Sequence, residues 1–467
     1  MASTGYGRQA LPAVKGDAAD DLAPPVQPNL PRRPVPGARQ VARNTVEILV
    51  FRGLSTPLAL GLVVLQGRFL EPSGRGAYVV AVLGVTIFSR LLGQLGVAVT
   101  NRLAEERANL QPLVRRAFAL GVLGGAAAVP LIAAGGSNLG GIDFDVALLA
   151  ALALVPNVLW QSTSGVLLGL ARIRLWNYVQ LGSPVLTLVG MLVLVVWLDA
   201  GVRGAVGAWA LANAATAVFA LTAARDIWLP PDLPPLADRS ARLLTRLALA
   251  MGAVHVVNLV SYRVELFVLD RYEGLAEVGI YSIAMQAAEA MWLIAAALAG
   301  AITAPAVHET DAAAARLVAR AAFRALVFTG GVAVVVGVVA PFAIPLALGD
   351  AFDGAARPLL FLLPGIVVYA PVTVLVVYLS VRRGRPRLSL GVSIAGALVT
   401  LALALVLIPA LGTEGAALAS TLGYAAAAAL AWFFFARLAR PPTSDGEERR
   451  ADPPLISDGR AGEARAS

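Results

Sequence analysis

The chain has no cysteine, one lysine and two histidines among 467 residues, and only 14% of its residues carry charge. Without cysteine there is no disulfide framework, no thiolate metal site and no cysteine nucleophile. Charge this sparse, against about a quarter of residues in a soluble domain, excludes an ordinary water-facing surface. Instead 58% of the residues are hydrophobic, gathered into stretches of the ~20 residues a helix needs to cross ~30 Å of hydrocarbon. Runs such as VVAVLGVTIF and ALVTLALALVLIPAL are apolar on every side, whereas a membrane barrel alternates polar and apolar positions. The fold class read from this is an all-α integral membrane protein.

Twelve spans are predicted, over residues 46–67, 76–100, 117–135, 146–171, 175–198 and 204–224, then 247–269, 275–304, 325–348, 358–381, 388–411 and 414–436. Residues 1–40 and 438–467 are too rich in proline, arginine and small polar groups to form a core and read as disordered tails, the first without the pattern of a signal peptide. The division is an N-terminal lobe over 41–226, a Pro-rich linker over 227–246 (WLPPDLPPLADRSAR) and a C-terminal lobe over 247–437.

The net charge of +8 comes from arginines in the loops, where topology explains them better than nucleic acid does. One set of alternate loops carries Arg102, Arg107, Arg115, Arg116, Arg172, Arg174, Arg225, Arg239, Arg242, Arg246, Arg316, Arg320, Arg324, Arg382, Arg383, Arg385 and Arg387. The other has only Arg68, Arg75, Arg203, Arg271 and Arg357. This alternation supports the span count and predicts a cell-membrane protein with both termini cytoplasmic.

The two halves repeat. A shift of 203 residues lays RFLEPSGRGAYVVA on RYEGLAEVGIYSIA, matching Arg68 to Arg271, Gly76 to Gly279 and Tyr78 to Tyr281. A shift of 211 lays GVRGAVGAWA on GTEGAALAST, matching Gly201 to Gly412 and Gly204 to Gly415. Six spans separate the copies, so both lobes enter the membrane in the same sense and should be related by an axis along its normal. That makes a pair of six-helix lobes, a parallel pseudo-two-fold and a central cavity.

RFLEPSGRGAY, RYEGLAEVGIYSIA and above all LIPALGTEGAALASTLGY resemble polysaccharide flippases of the multidrug, oligosaccharidyl-lipid and polysaccharide exporter superfamily, over roughly residues 41–437. The resemblance implies a substrate of sugar units joined through pyrophosphate to a polyprenyl carrier, no cofactor, and a polysaccharide polymerase and glycosyltransferases as partners. The chain departs from the lipid II flippase branch, for which fourteen spans are expected, and from the acidic placements of the drug extruders.

Charges inside spans are costly, roughly 3 kcal/mol for a central arginine on insertion scales, and need a partner or a wet cavity. Arg52, Arg90 and Arg263 are such charges, and the 203-residue shift sets Arg52 against His255. Guanidinium makes bidentate bonds to phosphate, so Arg52, Arg90, His255 and Arg263 are the candidate substrate-binding residues. Snorkelling to the interface is the plainer reading of Arg52 and Arg90.

In the seventh span His255, Asn258, Tyr262 and Glu265 fall at intervals of three, four and three and so share one face, which lines either the cavity or a polar seam between helices. Glu289, on the eighth span beside Gln286 and Trp292, is a second intramembrane acid. Glu265, Asn258 and Glu289 are therefore the candidate coupling residues for a proton or sodium ion. Arg263 and Glu265, two residues apart on a helix, point apart, so each needs a partner elsewhere. Asn157, Gln161 and Ser164 share a face that reads as helix-to-helix packing.

A flippase is the leading reading. A small-molecule antiporter of the same superfamily, or a non-transporting platform for envelope-assembly enzymes, are the alternatives. A membrane transferase is disfavoured, because the acidic pair at a loop edge, Asp350 and Asp353, reads as a helix-end and turn signal.

Overall fold

The computed structural model describes residues 38–103, 110–229 and 238–439, with side chains left undescribed at a few helical positions, and its regular structure is helical throughout. Most of both tails and linker residues 230–237 lie outside the described residues. The described residues from Ile48 onward belong to one compact unit, which holds every site discussed below.

Ten stretches among the described residues are long and apolar enough to span a membrane, and two of them, Gly53–Arg102 and Pro386–Ala439, run to 50 and 54 residues. At 1.5 Å per residue each would reach about 75–80 Å if straight. Both reverse instead. In α1 (Ala38–Leu92) Glu71 leaves the helix at φ 56°, and Arg75 Nη1 donates to Gln66 Oε1 at 2.7 Å, a contact that nine residues of straight helix, about 13 Å, would forbid. In α15 (Pro386–Ala439) the break is Gly412 at φ 56°, and Gly396 against Ala427 and Gly423 against Thr400 pack the two limbs antiparallel. Ten stretches with two reversals make twelve crossings.

The first lobe continues with α2 (Leu95–Leu103), α3 (Leu110–Leu139), α4 (Phe144–Leu152), α5 (Leu154–Gly169), α6 (Ile173–Met191), α7 (Gly201–Ala223) and the short α8 (Arg225–Trp228). The second holds α9 (Asp238–Ser261), α10 (Val264–Glu273), α11 (Leu275–Ala290), α12 (Trp292–His308), α13 (Asp311–Leu348), α14 (Ala356–Val376) and α15. Pro156 explains why the fourth span divides into α4 and α5, since its ring meets the carbonyl four residues back, at the last residue of α4. The predicted linker is helical from Asp238 onward, and the third and ninth spans begin one to several turns before the predicted starts.

The pseudo-two-fold is written in the backbone. Left-handed residues fall at matching joints of the two lobes: Glu71 with Gly274, Gly141 with Gly349, Ala171 with Gly384, and Gly201 with Gly412; only Asp199 has no counterpart among the described residues. The first and last pairs are those the 203- and 211-residue shifts align. Where the lobes meet, a Cβ on Gly76 would collide with the Leu275 carbonyl and one on Gly279 with the Pro72 carbonyl. Both contacts obey the 203-residue offset, the reciprocity of a two-fold interface.

Each lobe has its own apolar core, and each core borrows from the other lobe. Val80 and Leu83 of the second span join the C-terminal core, while Leu244 and Ala248 of α9 join the N-terminal one. Spans two and seven thus stitch the lobes together.

Candidate functional site

The seventh span does not run as one helix. It breaks between α9 and α10 at Tyr262 and Arg263, where no proline or glycine stands, so the predicted stripe is divided. His255 is exposed on α9, Asn258 is half-buried, and Glu265 lies on α10, 1% exposed. A rigid 3.6-residue period carried through the break placed Glu265 on a face it does not share.

Asn258 and Tyr262 line a cleft of about 410 Å³ in the C-terminal lobe, with Tyr369, Thr373, Ser380, Ser389 and Ser393. Its mouth lies at the arginine-rich ends of the spans, where Ser380 and Ser389 hydroxyls meet at 2.7 Å. Its floor is aromatic. Tyr262, Trp292, Tyr369 and Tyr424 form a cluster in which every pair of ring centroids lies 5.2–6.2 Å apart, and the Tyr262 and Tyr369 hydroxyls share a hydrogen bond of 2.5 Å.

Behind that floor sit three charges, Arg263 and Glu289 half-buried and Glu265 buried. Arg263 grips Glu289 with both Nη atoms, at 2.5 and 2.8 Å, a bidentate pair that neutralises both. The break in the seventh span aims Arg263 at the eighth. Glu265 has no such relief: no hydrogen-bond partner of ordinary geometry reaches Oε1 or Oε2, although the Ser420 hydroxyl, the Arg263 and Glu289 charges and the Tyr281 and Tyr424 rings lie within electrostatic reach. A carboxyl so enclosed must hold a proton or be met by a cation.

Of the other sequence candidates, Arg90 is exposed in the second span, twelve residues before Arg102, and lies close enough to His255 for their charges to interact. Gly252, one turn from His255, packs on the Leu91 carbonyl. His255 and Arg90, on opposite lobes, thus stand near this helix contact. Arg52 lies on α1, its side chain outside the described residues.

Arg75 is the residue that sequence reasoning missed. Counted there as a loop charge, it is fully buried and links the lobes, with Nε donating to Ser282 Oγ at 3.0 Å, Nη2 to Gln286 Oε1 at 3.2 Å and Nη1 to Gln66. Its place between Gly74 and Gly76, one of the two crossing glycines, is the sequence signal that could have found it. Arg68 adds a second tie, donating to the Leu346 and Ala347 carbonyls at 2.6 and 2.7 Å and so capping the C-terminus of α13. Asn157, bonded to Asn213 and Gln161, and Ser164, bonded to Gln180, are helix-to-helix polar contacts.

A family model described as "Polysaccharide biosynthesis protein" matches residues 41–310. No curated protein matches the chain in sequence. Among solved structures, the chain is similar to the inward-facing conformation of a multidrug resistance MATE family transporter of the MOP superfamily, with a TM-score of 0.70 at 15% identity over 85% of this chain and 96% of that one. It is similar also to the lipid II flippase MurJ in an inward closed conformation, with 0.69 at 12% identity over 84% and 90%. A MOP superfamily transporter from Pyrococcus furiosus gives 0.59 at 16% identity over 86% and 96%. These neighbours are transporters and flippases rather than enzymes, and they share the fold of this chain.

Proposed function

The chain belongs to the polysaccharide biosynthesis protein family, and from that premise we propose that it is a flippase moving a polyprenyl-pyrophosphate-linked oligosaccharide across the cytoplasmic membrane by alternating access. The observation that carries this reading is the pairing of two lobes about Gly76 and Gly279 with a largely apolar cleft, dotted with hydroxyls, near the arginine-rich ends. Those ends are assigned to the cytoplasm, together with both termini.

In this reading the sugars enter the cleft, bonding to Asn258, Thr373, Ser380, Ser389 and Ser393 among its valine and leucine walls and stacking on the tyrosine floor. Arg90 and His255, with Arg52 on the neighbouring span, take the pyrophosphate where the lobes meet. Arg263, expected as a phosphate ligand, has its charge spent on Glu289, so the pair is assigned instead to holding the site of Glu265. Glu265 is the coupling carboxyl, loaded with a proton or a sodium ion. The polyprenyl tail stays in lipid. Glycosyltransferases would supply the substrate and a polymerase would use the product.

Flipping of a fluorescent polyprenyl-pyrophosphate oligosaccharide in proteoliposomes tests this. Intact protein should speed flipping, and Arg90→Gln should slow it at least about tenfold, a loss of about 1.4 kcal/mol in transition-state stabilisation. A folded protein that flips no lipid-linked sugar but exchanges a small cation for protons would favour the antiporter reading and refute this one.

A further inference from the structure

On the arginine-rich face, away from the cleft, α3 and α9 meet in a groove of about 500 Å³ lined by Arg116, Ala241, Arg242, Thr245 and Arg246. α9 docks there through Leu244 and Ala248, which are buried in the N-terminal core. That leaves Arg242 and Arg246, one turn apart, on its open side. All three arginines are exposed, and none forms a hydrogen bond or ion pair among the described residues. The neighbouring Arg115, by contrast, donates to the Trp228 carbonyl at 2.6 Å.

The surface beside the groove turns apolar within one or two turns. On α9 the exposed positions after Arg246 are Leu249, Ala250, Ala253 and Val254; on α3 those after Arg116 are Ala119, Val122 and Leu123. Each helix thus presents a guanidinium at the membrane edge and an oily stripe above it. Three guanidiniums that line one groove, without a partner among the described residues, fit a phosphate, which arginine binds in bidentate fashion, and the stripes fit acyl chains. Scattered topology charges would have no reason to line one groove.

We propose that this groove binds the phosphate headgroup of a membrane lipid. The chemistry is shared by bulk anionic phospholipid and by a polyprenyl diphosphate, and the site stands whether or not the transport reading does.

The test is binding of acyl-labelled phosphatidylglycerol to the full chain in detergent micelles, read by fluorescence anisotropy. Phosphatidylglycerol should bind and phosphatidylcholine should not. Arg116→Gln/Arg242→Gln/Arg246→Gln should weaken binding at least about tenfold, about 1.4 kcal/mol. Arg246→Gln alone should give an intermediate loss, which serves if the triple variant does not fold. Arg385→Gln/Arg387→Gln, changing exposed arginines elsewhere on the same face, should bind as the parent does. Stronger displacement by polyprenyl diphosphate than by unlabelled phosphatidylglycerol would assign the groove to the lipid-linked substrate, and the reverse order to bulk lipid. Equal binding of phosphatidylcholine, equal displacement by inorganic phosphate, an unaffected triple variant, or an equal loss in the Arg385/Arg387 control would each overturn the proposal.

Discussion

Glu265→Gln should yield a protein that folds and stays in the membrane yet no longer draws on an ion gradient. Glutamine keeps the shape of the carboxyl and removes only its ability to ionise. Since no partner of ordinary hydrogen-bond geometry reaches either carboxylate oxygen among the described residues, and glutamine keeps an acceptor for the nearby Ser420 hydroxyl, the change in stability should stay within about 1 kcal/mol. Transport should respond far more strongly. In the proteoliposome assay an imposed proton or sodium gradient should accelerate flipping by the parent, and the variant should lose at least about tenfold of that acceleration while keeping its gradient-free rate. Glu289→Gln is the informative contrast: it strips Arg263, half-buried, of its charged bidentate partner, so it should destabilise by about 1–3 kcal/mol. If Glu265→Gln keeps full gradient dependence, the coupling role passes to another group.

Gly76→Ala should damage the protein out of proportion to the single methyl it adds. The new Cβ would overlap the Leu275 carbonyl, and Gly279→Ala would overlap the Pro72 carbonyl in the same way. Both obstacles are backbone, which cannot turn aside as a side chain can, so the lobes must separate. Overpacking of this kind costs about 1–3 kcal/mol. Separation would also stretch the bonds from Arg75 to Ser282 and Gln286 beside the crossing. The two variants should resemble one another in thermal unfolding, because the pseudo-two-fold makes the sites equivalent. Gly331→Ala, in α13 with open space around its Cβ position, should be neutral or stabilising by about 0.5–1 kcal/mol. Were Gly76→Ala as mild as Gly331→Ala, the crossing would not be the close contact described here.

The parts legible in the sequence are those set by solvent and by chain symmetry. Long apolar runs and alternating arginines were enough to count twelve crossings, because lipid accepts only closed helices and loops carry the charge. The repeat was visible because Gly76 and Gly279, and Gly201 and Gly412, hold positions that tolerate little else. Glu71 shows the limit of that signal: it adopts the conformation of its counterpart Gly274 without being glycine.

The candidate site was harder to read, for reasons of packing. Nothing between Leu259 and Leu266 marks a helix break, so the turn at Tyr262 and Arg263 is imposed by the surrounding helices. Once it is made, Arg263 faces Glu289, 26 residues away, and Glu265 turns into the protein. Residue types were enough to single out Arg263, Glu265 and Glu289 as charges in need of an explanation, but not to say which two would meet. Arg75 escaped because PSGRG reads as a surface turn. In the folded protein that turn is the place where two lobes press together and exclude water.

The absence of cysteine makes the decisive measurement direct, since spin labels can be placed without removing any native thiol. Pulsed electron resonance distances should be taken across the arginine-poor ends with Asp143→Cys/Asp350→Cys and across the arginine-rich ends with Arg225→Cys/Arg385→Cys, in liposomes at acid and alkaline pH. The account predicts opposite movements, one end closing as the other opens, with the response lost when Glu265→Gln is added while Arg263, Glu289, His255 and the surrounding tyrosines remain. Distances that do not change, or that lengthen together at both ends, would contradict alternating access about the Gly76 and Gly279 crossing.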